Sequence, residues 1–336
     1  MSMDRRFVPL FFAFLLLLPS AIAAGEEESE VTLEVWHSFA AESQEEATFL
    51  DAIDQFESLN PAIKVEVTGV PFGDIDQLYL TAAQGGEAPD LVRLSSDQLG
   101  EIGEVRVDGY PLLEDLRPHL TPSERAIFDS KALQSMRYGD ALYGIPASQD
   151  CLSLLYNRAL FDAEGIGYPN SNWTQNDLLS AAQNLTQGDV YGLAVPTKVA
   201  YWWFPFQTGF GGGLFDNSGN PNLASNGSAQ ALEWYLSLEQ VHGVVRTGTV
   251  GETMESQFIQ SEAAMIVDGP WNWATYEAGR LDVGQTLLPI IEETGLRSSP
   301  LVTYKGWSVS KQSEQKIASA DLALFLSSPS VQKMFA

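Results

Sequence analysis

At 336 residues the chain is longer than one ordinary domain and suits two, and 45% hydrophobic residues with 8 Trp are enough for two packed cores. Its 44 Asp and Glu against 18 Lys and Arg give a formal net charge of −26, a solvated surface that repels phosphate backbones and anionic lipid, so neither nucleic acid nor a membrane surface is an expected partner. The single Cys, Cys151, excludes an internal disulfide and reads as a small buried packing residue.

Arg5 and Arg6 precede an apolar run from Phe7 to Leu18, followed by Pro19 and Ala21-Ile22-Ala23. That order predicts a secretory signal over residues 1–23, since the run falls short of the ~20 residues a spanning helix needs. No Cys follows the run for lipid attachment, so the mature protein is expected free in the periplasm or extracellular space, without membrane insertion. Glu26 to Glu30 reads as a solvated acidic leader. Val31, Leu33 and Val35 then alternate with polar residues up to Trp36, as a strand. Ser43 with Glu46 forms a capping box, Phe49, Ile53 and Phe56 line one helix face, and Asn60-Pro61 stops that helix. Ile63, Val65 and Val67 give a second strand, Asp74 to Gln84 a second helix ending at Gly85, and Leu91 to Leu94 a third strand. Such alternation predicts an α/β fold with a largely parallel sheet covered on both faces. Thr121-Pro122-Ser123-Glu124 marks a further helix start.

From about Asp150 aromatic and Gly residues gather, at Tyr201 to Phe206 and Gly209 to Phe215. A helix is predicted from Ser228 to His242, with Leu232, Tyr235 and Leu236 inward and Gly243 at its end. The texture is that of a second α/β unit, and no repeat or Pro/Ser linker separates it from the first.

The three His residues, 37, 119 and 242, have no metal-ligand spacing with one another or with Cys, so no structural metal is expected. Walker A, G-x-G-x-x-G and G-x-S-x-G motifs are all missing, which removes the usual support for NTPase, dehydrogenase and hydrolase readings and for a cofactor. A catalytic pair of carboxylates remains open at this level, because only space would show one.

Five segments then occur in a fixed order. They are Gly85-Gly86-Glu87-Ala88-Pro89-Asp90-Leu91-Val92; Tyr143-Gly144-Ile145-Pro146 with Leu154-Leu155-Tyr156-Asn157; Phe258 to Asp268 leading into Gly269-Pro270-Trp271; Gly306-Trp307; and Ser327-Ser328-Pro329-Ser330-Val331-Gln332. Together they resemble the extracellular solute-binding proteins of the maltose-binding type. The resemblance implies a two-lobed periplasmic binding protein fold of the class II type: a first lobe of residues 24–147 plus 306–336, a second of 148–305, and a ligand cleft between them. It also implies a monomeric, non-enzymatic protein that captures a sugar and hands it to the permease of an ABC importer. A glycerol phosphodiester, polyamine or metal-chelate cargo on the same fold, or a secreted glycoside hydrolase, are the rival readings.

Residue by residue, the resemblance places Asp97 where ligand hydroxyls are taken up, with helix capping as the alternative. Asp150 falls at the first crossing between lobes. Tyr201 aligns with a ligand-contacting Tyr, adjoined by Trp202 and by Trp203, the latter expected in the core. Trp271 would floor the sugar. Trp307 is open between cleft wall and packing, and Ser38 is expected to touch ligand while Trp36 is buried. Leu94 stands where the maltose binder has a Trp, so that stacking face is lost. The family also continues beyond the Ser-Pro-Ser-Val-Gln helix start with further helices, and a truncated sequence is therefore expected.

Overall fold

The computed structural model describes residues 31–335, so the predicted signal and the acidic leader lie outside the described residues. Strand β1 (Val31–His37) buries Leu33 and Val35 and pairs in parallel with β2 (Ile63–Gly69) and β3 (Leu91–Ser95). Between β1 and β2 runs α1 (Gln44–Leu59), which packs Phe49, Ile53 and Phe56 against the sheet. Ser43 Oγ accepts from the Glu46 amide at 3.1 Å, as the capping box predicts. The Glu46 carboxylate, however, turns to the Glu42 amide at 2.6 Å, so the reciprocal half of the box is shifted by one residue. Helix α2 (Ile75–Gly85) ends at Gly86, whose φ of +83° is a left-handed cap that glycine adopts without a Cβ penalty.

The five-stranded first sheet has the order β2-β1-β3-β8-β4, where β4 is Ile145–Asp150 and β8 is Thr303–Val309. Here the expectation of a largely parallel sheet is corrected: β8 runs antiparallel to both β3 and β4. The reason is topological. β1, β2, β3 and β4 all end at the same edge, and a strand returning from the second lobe enters at that edge and must run the other way. At the crossing, a Cβ on Gly306 would lie 2.7 Å from the Ile145 carbonyl oxygen and 2.6 Å from Met136 Cε, so only glycine lets β8 approach β4 this closely.

The second lobe is built on β5 (Ser153–Asn157), flanked antiparallel by β6 (Met265–Asp268) and β7 (Val283–Thr286). Its helices include α3 (Gln175–Leu185), α4 (Ala200–Gly209) and α5 (Asn226–Gln240). Helix α5 starts two residues before the predicted position because Ser225 caps it. Its inward face is Ala231, Tyr235 and Leu238; Leu232, expected inward, is 43% exposed, one position round the helix from the true face. The apolar clusters follow the lobes. One joins residues from Leu33 to Ile145 with Trp307 to Val331, and the others lie between Leu152 and Leu288.

Two further expectations are corrected. Cys151 is exposed rather than buried, because it stands where the chain has left β4 and not yet entered β5, and Leu152 takes the buried position instead. Trp307, a candidate ligand residue left open between cleft wall and packing, is a core residue: it is 2% exposed, stacks on Phe49 at 5.4 Å between ring centroids and lies 6.5 Å from Phe39. Truncating it removes the largest fully buried side chain among the described residues. Trp307→Ala is therefore expected to cost about 3–5 kcal/mol of stability in denaturant unfolding. Unchanged stability would return Trp307 to the cleft.

Candidate functional site

The outgoing strands of the first sheet end, and β8 begins, at the edge that faces the second lobe, and the polar side chains gather there. Ser38, just past β1, is half-buried, and its Oγ accepts from Arg93 Nη1 at 3.3 Å. Arg93 comes from the middle of β3, with its guanidinium carbon 4.0 Å from the centre of the Phe39 ring. Asp97 is exposed two residues beyond β3, and its carboxylate accepts from Ser95 Oγ. The capping alternative for Asp97 is not what forms, since Gln98 is the residue at the start of the helix Leu99–Glu104.

Asp150, the last residue of β4, has its carboxylate 3.9 Å from Lys305 Nζ, and Lys305 in turn lies 3.7 Å from the centre of the Phe72 ring. Burial pushes the Asp150 carboxyl above the usual range, with Lys305 and Arg93 pulling the other way. Burial likewise raises Glu45, in the first turn of α1, which feels Arg93, Asp150 and Lys305. The Lys305 ammonium is brought down to about 8, because desolvation outweighs the attraction of Asp150.

From the second lobe, Tyr201 in the first turn of α4 faces this group. Burial raises its phenol, and the negative charges of Asp150 and Asp97 raise it further, so it is a hydroxyl donor at neutral pH. Its ring meets Trp202 edge-on at 5.2 Å and lies 6.5 Å from that of Trp271. Trp202 is half-buried and its Nε1 donates to the Val267 carbonyl at 2.8 Å, so its polar edge is committed to β6. Trp203 is half-buried against the second core.

Trp271 sits in the turn Pro270–Asn272 that follows β6. Its ring folds back over Gly269, where an added Cβ would lie 2.0 Å from Trp271 Cζ3. Asp268 ties this turn down. It is fully buried and its Oδ2 accepts from the Tyr276 hydroxyl and, at 3.0 Å, from Asn272 Nδ2.

The structure thus sets Tyr201 near Asp97 and Asp150, places the Trp202 and Trp271 rings beside it, ties Ser38 to Arg93, and takes Trp307 into the first core. Sequence reasoning missed Glu45, Phe72, Arg93 and Lys305. A signal existed for two of them: Arg93 lies between Val92 and Leu94 in a strand buried throughout, and Lys305 stands one residue before Gly306-Trp307. A charge inside such a strand is costly unless it meets partners. At the crossing strands lies a groove of about 390 Å³ lined by Asp150 itself together with Gln149, Cys151, Pro270, Trp273 and Tyr304.

Residues 40–333 match the family model of the bacterial extracellular solute-binding proteins. The chain belongs to this family. It is 26% identical over 287 residues to the galactooligosaccharide-binding protein of Bacillus subtilis (strain 168), a match covering 82% of this chain and 65% of that protein. To the maltodextrin-binding protein MdxE of the same organism it is 24% identical, covering 78% of this chain and 61% of the relative. It therefore spans less than two thirds of the length of these relatives. Among solved structures, the maltose/maltodextrin-binding domain from Bdellovibrio bacteriovorus bound to maltotriose superposes with a TM-score of 0.82 at 27% identity, over 91% of this chain and 79% of that one. The Thermus thermophilus maltotriose-binding protein gives 0.80 at 25% identity, over 90% and 79%. The fold is the two-lobed periplasmic binding protein fold.

The depressed Lys305 yields a pH test. Its folded value lies below the unfolded one of ~10.4, so the unfolded chain binds more protons between about 8 and 10 and this group makes stability rise with pH across that window. Comparing denaturant midpoints from pH 7 to 10, Lys305→Met is expected to lose that rise relative to the unaltered protein. Parallel pH profiles would show that Lys305 titrates normally.

Proposed function

We propose that this protein is the substrate-binding component of an ABC importer, taking a sugar or oligosaccharide into the cleft, closing over it and delivering it to a membrane permease. The observation that carries this reading is the pairing across the cleft of carboxylates, Asp97 and Asp150, with the aromatic faces of Tyr201 and Trp271. Carboxylates accept from ring hydroxyls and flat rings cover C–H faces, the two things a sugar presents. The sugar-binding names of its relatives point the same way. Hydrogen bonds to charged groups contribute roughly 1.5–3 kcal/mol each, and a micromolar Kd needs about 8 kcal/mol. A few such bonds with one or two stacked rings suffice.

In this reading the lobes are residues 24–150 with 303–336, and 151–302, three residues from each expected boundary, because β4 and β8 lie wholly in the first sheet. The segments that leave β4 and enter β8 are the hinge. The protein is exported by the segment 1–23, acts as a monomer and turns nothing over. Release of reducing sugar on prolonged incubation would favour the hydrolase rival instead.

Titration calorimetry against maltose, maltotriose, galactooligosaccharides and monosaccharides tests the assignment, with micromolar binding of at least one of them expected. Silence across the panel would overturn it. Against the sugar that binds best, Trp271→Ala is expected to weaken affinity 10- to 100-fold with little change in melting temperature, by analogy with the ~1–3 kcal/mol of base stacking on aromatic side chains. An unchanged Kd would remove Trp271 from the binding surface.

A further inference from the structure

Two cations in the cleft call for an explanation, since burying a charge is expensive unless it is paired and hydrogen-bonded. Arg93 is 7% exposed and Lys305 8%. Lys305 has Asp150 at 3.9 Å and the Phe72 ring. Arg93 has less. Among the described residues no carboxylate comes within ion-pair distance of its guanidinium, and its one side-chain hydrogen bond is the 3.3 Å contact to Ser38. A guanidinium carries five N–H donors in a fixed fork. The unused donors of Arg93 are not among the sealed, unpartnered side-chain atoms of the described residues, so they keep some access to solvent, on the side where Glu45 and Asp150 lie close enough to act on them.

The β3–β8 register explains why these two side chains share a face. Arg93 pairs with Trp307 and Ser95 with Lys305, so Arg93 and Lys305 project from the same side of the sheet, one pleat apart. Glu45 and Asp150 lie close enough to perturb both cations, and Asp97 is near enough to act on Lys305. The cleft therefore interleaves three acids, Glu45, Asp97 and Asp150, with two bases. An anionic ligand would meet an excess of acid. A hydroxyl accepts and donates at once, and so can bridge a cation and a carboxylate.

We propose that Arg93 and Lys305 are specificity residues that donate to ligand hydroxyls while Asp97, Asp150 and Glu45 accept from them, so that the cleft selects an uncharged polyhydroxylated ring over its uronic-acid counterpart. The inference rests on the sugar reading above and goes further by naming the class of sugar and the donors that choose it.

The test uses the full chain and the neutral saccharide that binds best in calorimetry, beside an oligosaccharide carrying a uronic acid on the same type of ring. Arg93→Met and Lys305→Met keep most of the side-chain volume, and each is expected to weaken the neutral ligand roughly 10- to 100-fold, as loss of a hydrogen bond to a charged group does. Arg93→Lys keeps the charge but not the fork. It covers the case in which Arg93→Met fails to fold and is expected to lose at least tenfold with a near-native melting temperature. The unaltered protein is expected to bind the uronic acid at least tenfold more weakly than the neutral sugar. If sugars bind but the three variants keep the original Kd, or the uronic acid binds as tightly as the neutral ring, this proposal falls and the sugar reading stands. If neither class binds the unaltered protein, both fall.

Discussion

The cleft depends on one act of packing, the insertion of β8 between β3 and β4. Trp307 anchors that strand by stacking on Phe49 beneath α1, and the strand period of two then places Lys305 on the same face at the sheet edge, beside Asp150. Core and site are consequently one mechanical unit. Gly306, between them, is what allows β8 to lie against the Ile145 carbonyl. A side chain there would push the strand away, and the separation between Lys305 and Asp150 would change with it. The first lobe thus fixes its charged groups through burial of an indole two residues away rather than through a dense network of ion pairs.

The second lobe fixes its aromatic face by different means. Trp271 rises from a short turn, and such a turn alone would leave the ring several rotamers to choose from. Gly269 leaves the space into which the ring folds, and buried Asp268 holds the following turn through Asn272 and Tyr276. A ring ordered in advance does not lose its rotamer freedom when ligand arrives, which is worth about 0.5–1.5 kcal/mol per side chain. In the proposed reading each lobe offers a half-site ordered by its own core, and closing the hinge would have only to bring the two together.

How much of this was legible follows from which features are local. The capped start of α1 and the spacing of Phe49, Ile53 and Phe56 are written within sixteen residues, and the helix forms as read. The face of α5 was misjudged by one position at Leu232, since several apolar residues crowd that helix and its packing partner comes from elsewhere in the chain. Trp307 stays open in the sequence and Cys151 is misplaced by it for the same reason: whether a side chain is covered depends on α1 in one case and on the gap between two strands in the other. Arg93 and Lys305 could have been flagged as charges inside strands. Their meeting with Glu45 and Asp150 could not, because those four residues come from positions 45 to 305 and only the sheet order joins them.

The cleft's near balance of charge stands apart from the surface around it. A formal charge of −26 gives the whole molecule a field that repels anions and draws cations. That field does no work on an uncharged solute, so under the proposed reading a neutral ring would reach the cleft by plain diffusion, with affinity decided by short-range contacts inside it. There the effective dielectric is lower than in water and hydrogen bonds to the charged groups gain strength. Within the protein Arg93 reaches Ser38 at 3.3 Å and Lys305 reaches Asp150 only at 3.9 Å, distances at or beyond a good hydrogen bond, while Ser95 holds Asp97 closely. Under the proposed reading, ring hydroxyls placed among them would satisfy donors and acceptors that the first sheet leaves partly open, and the faces of Tyr201 and Trp271 would cover the same ring from the second lobe, so one ligand would draw the two lobes together.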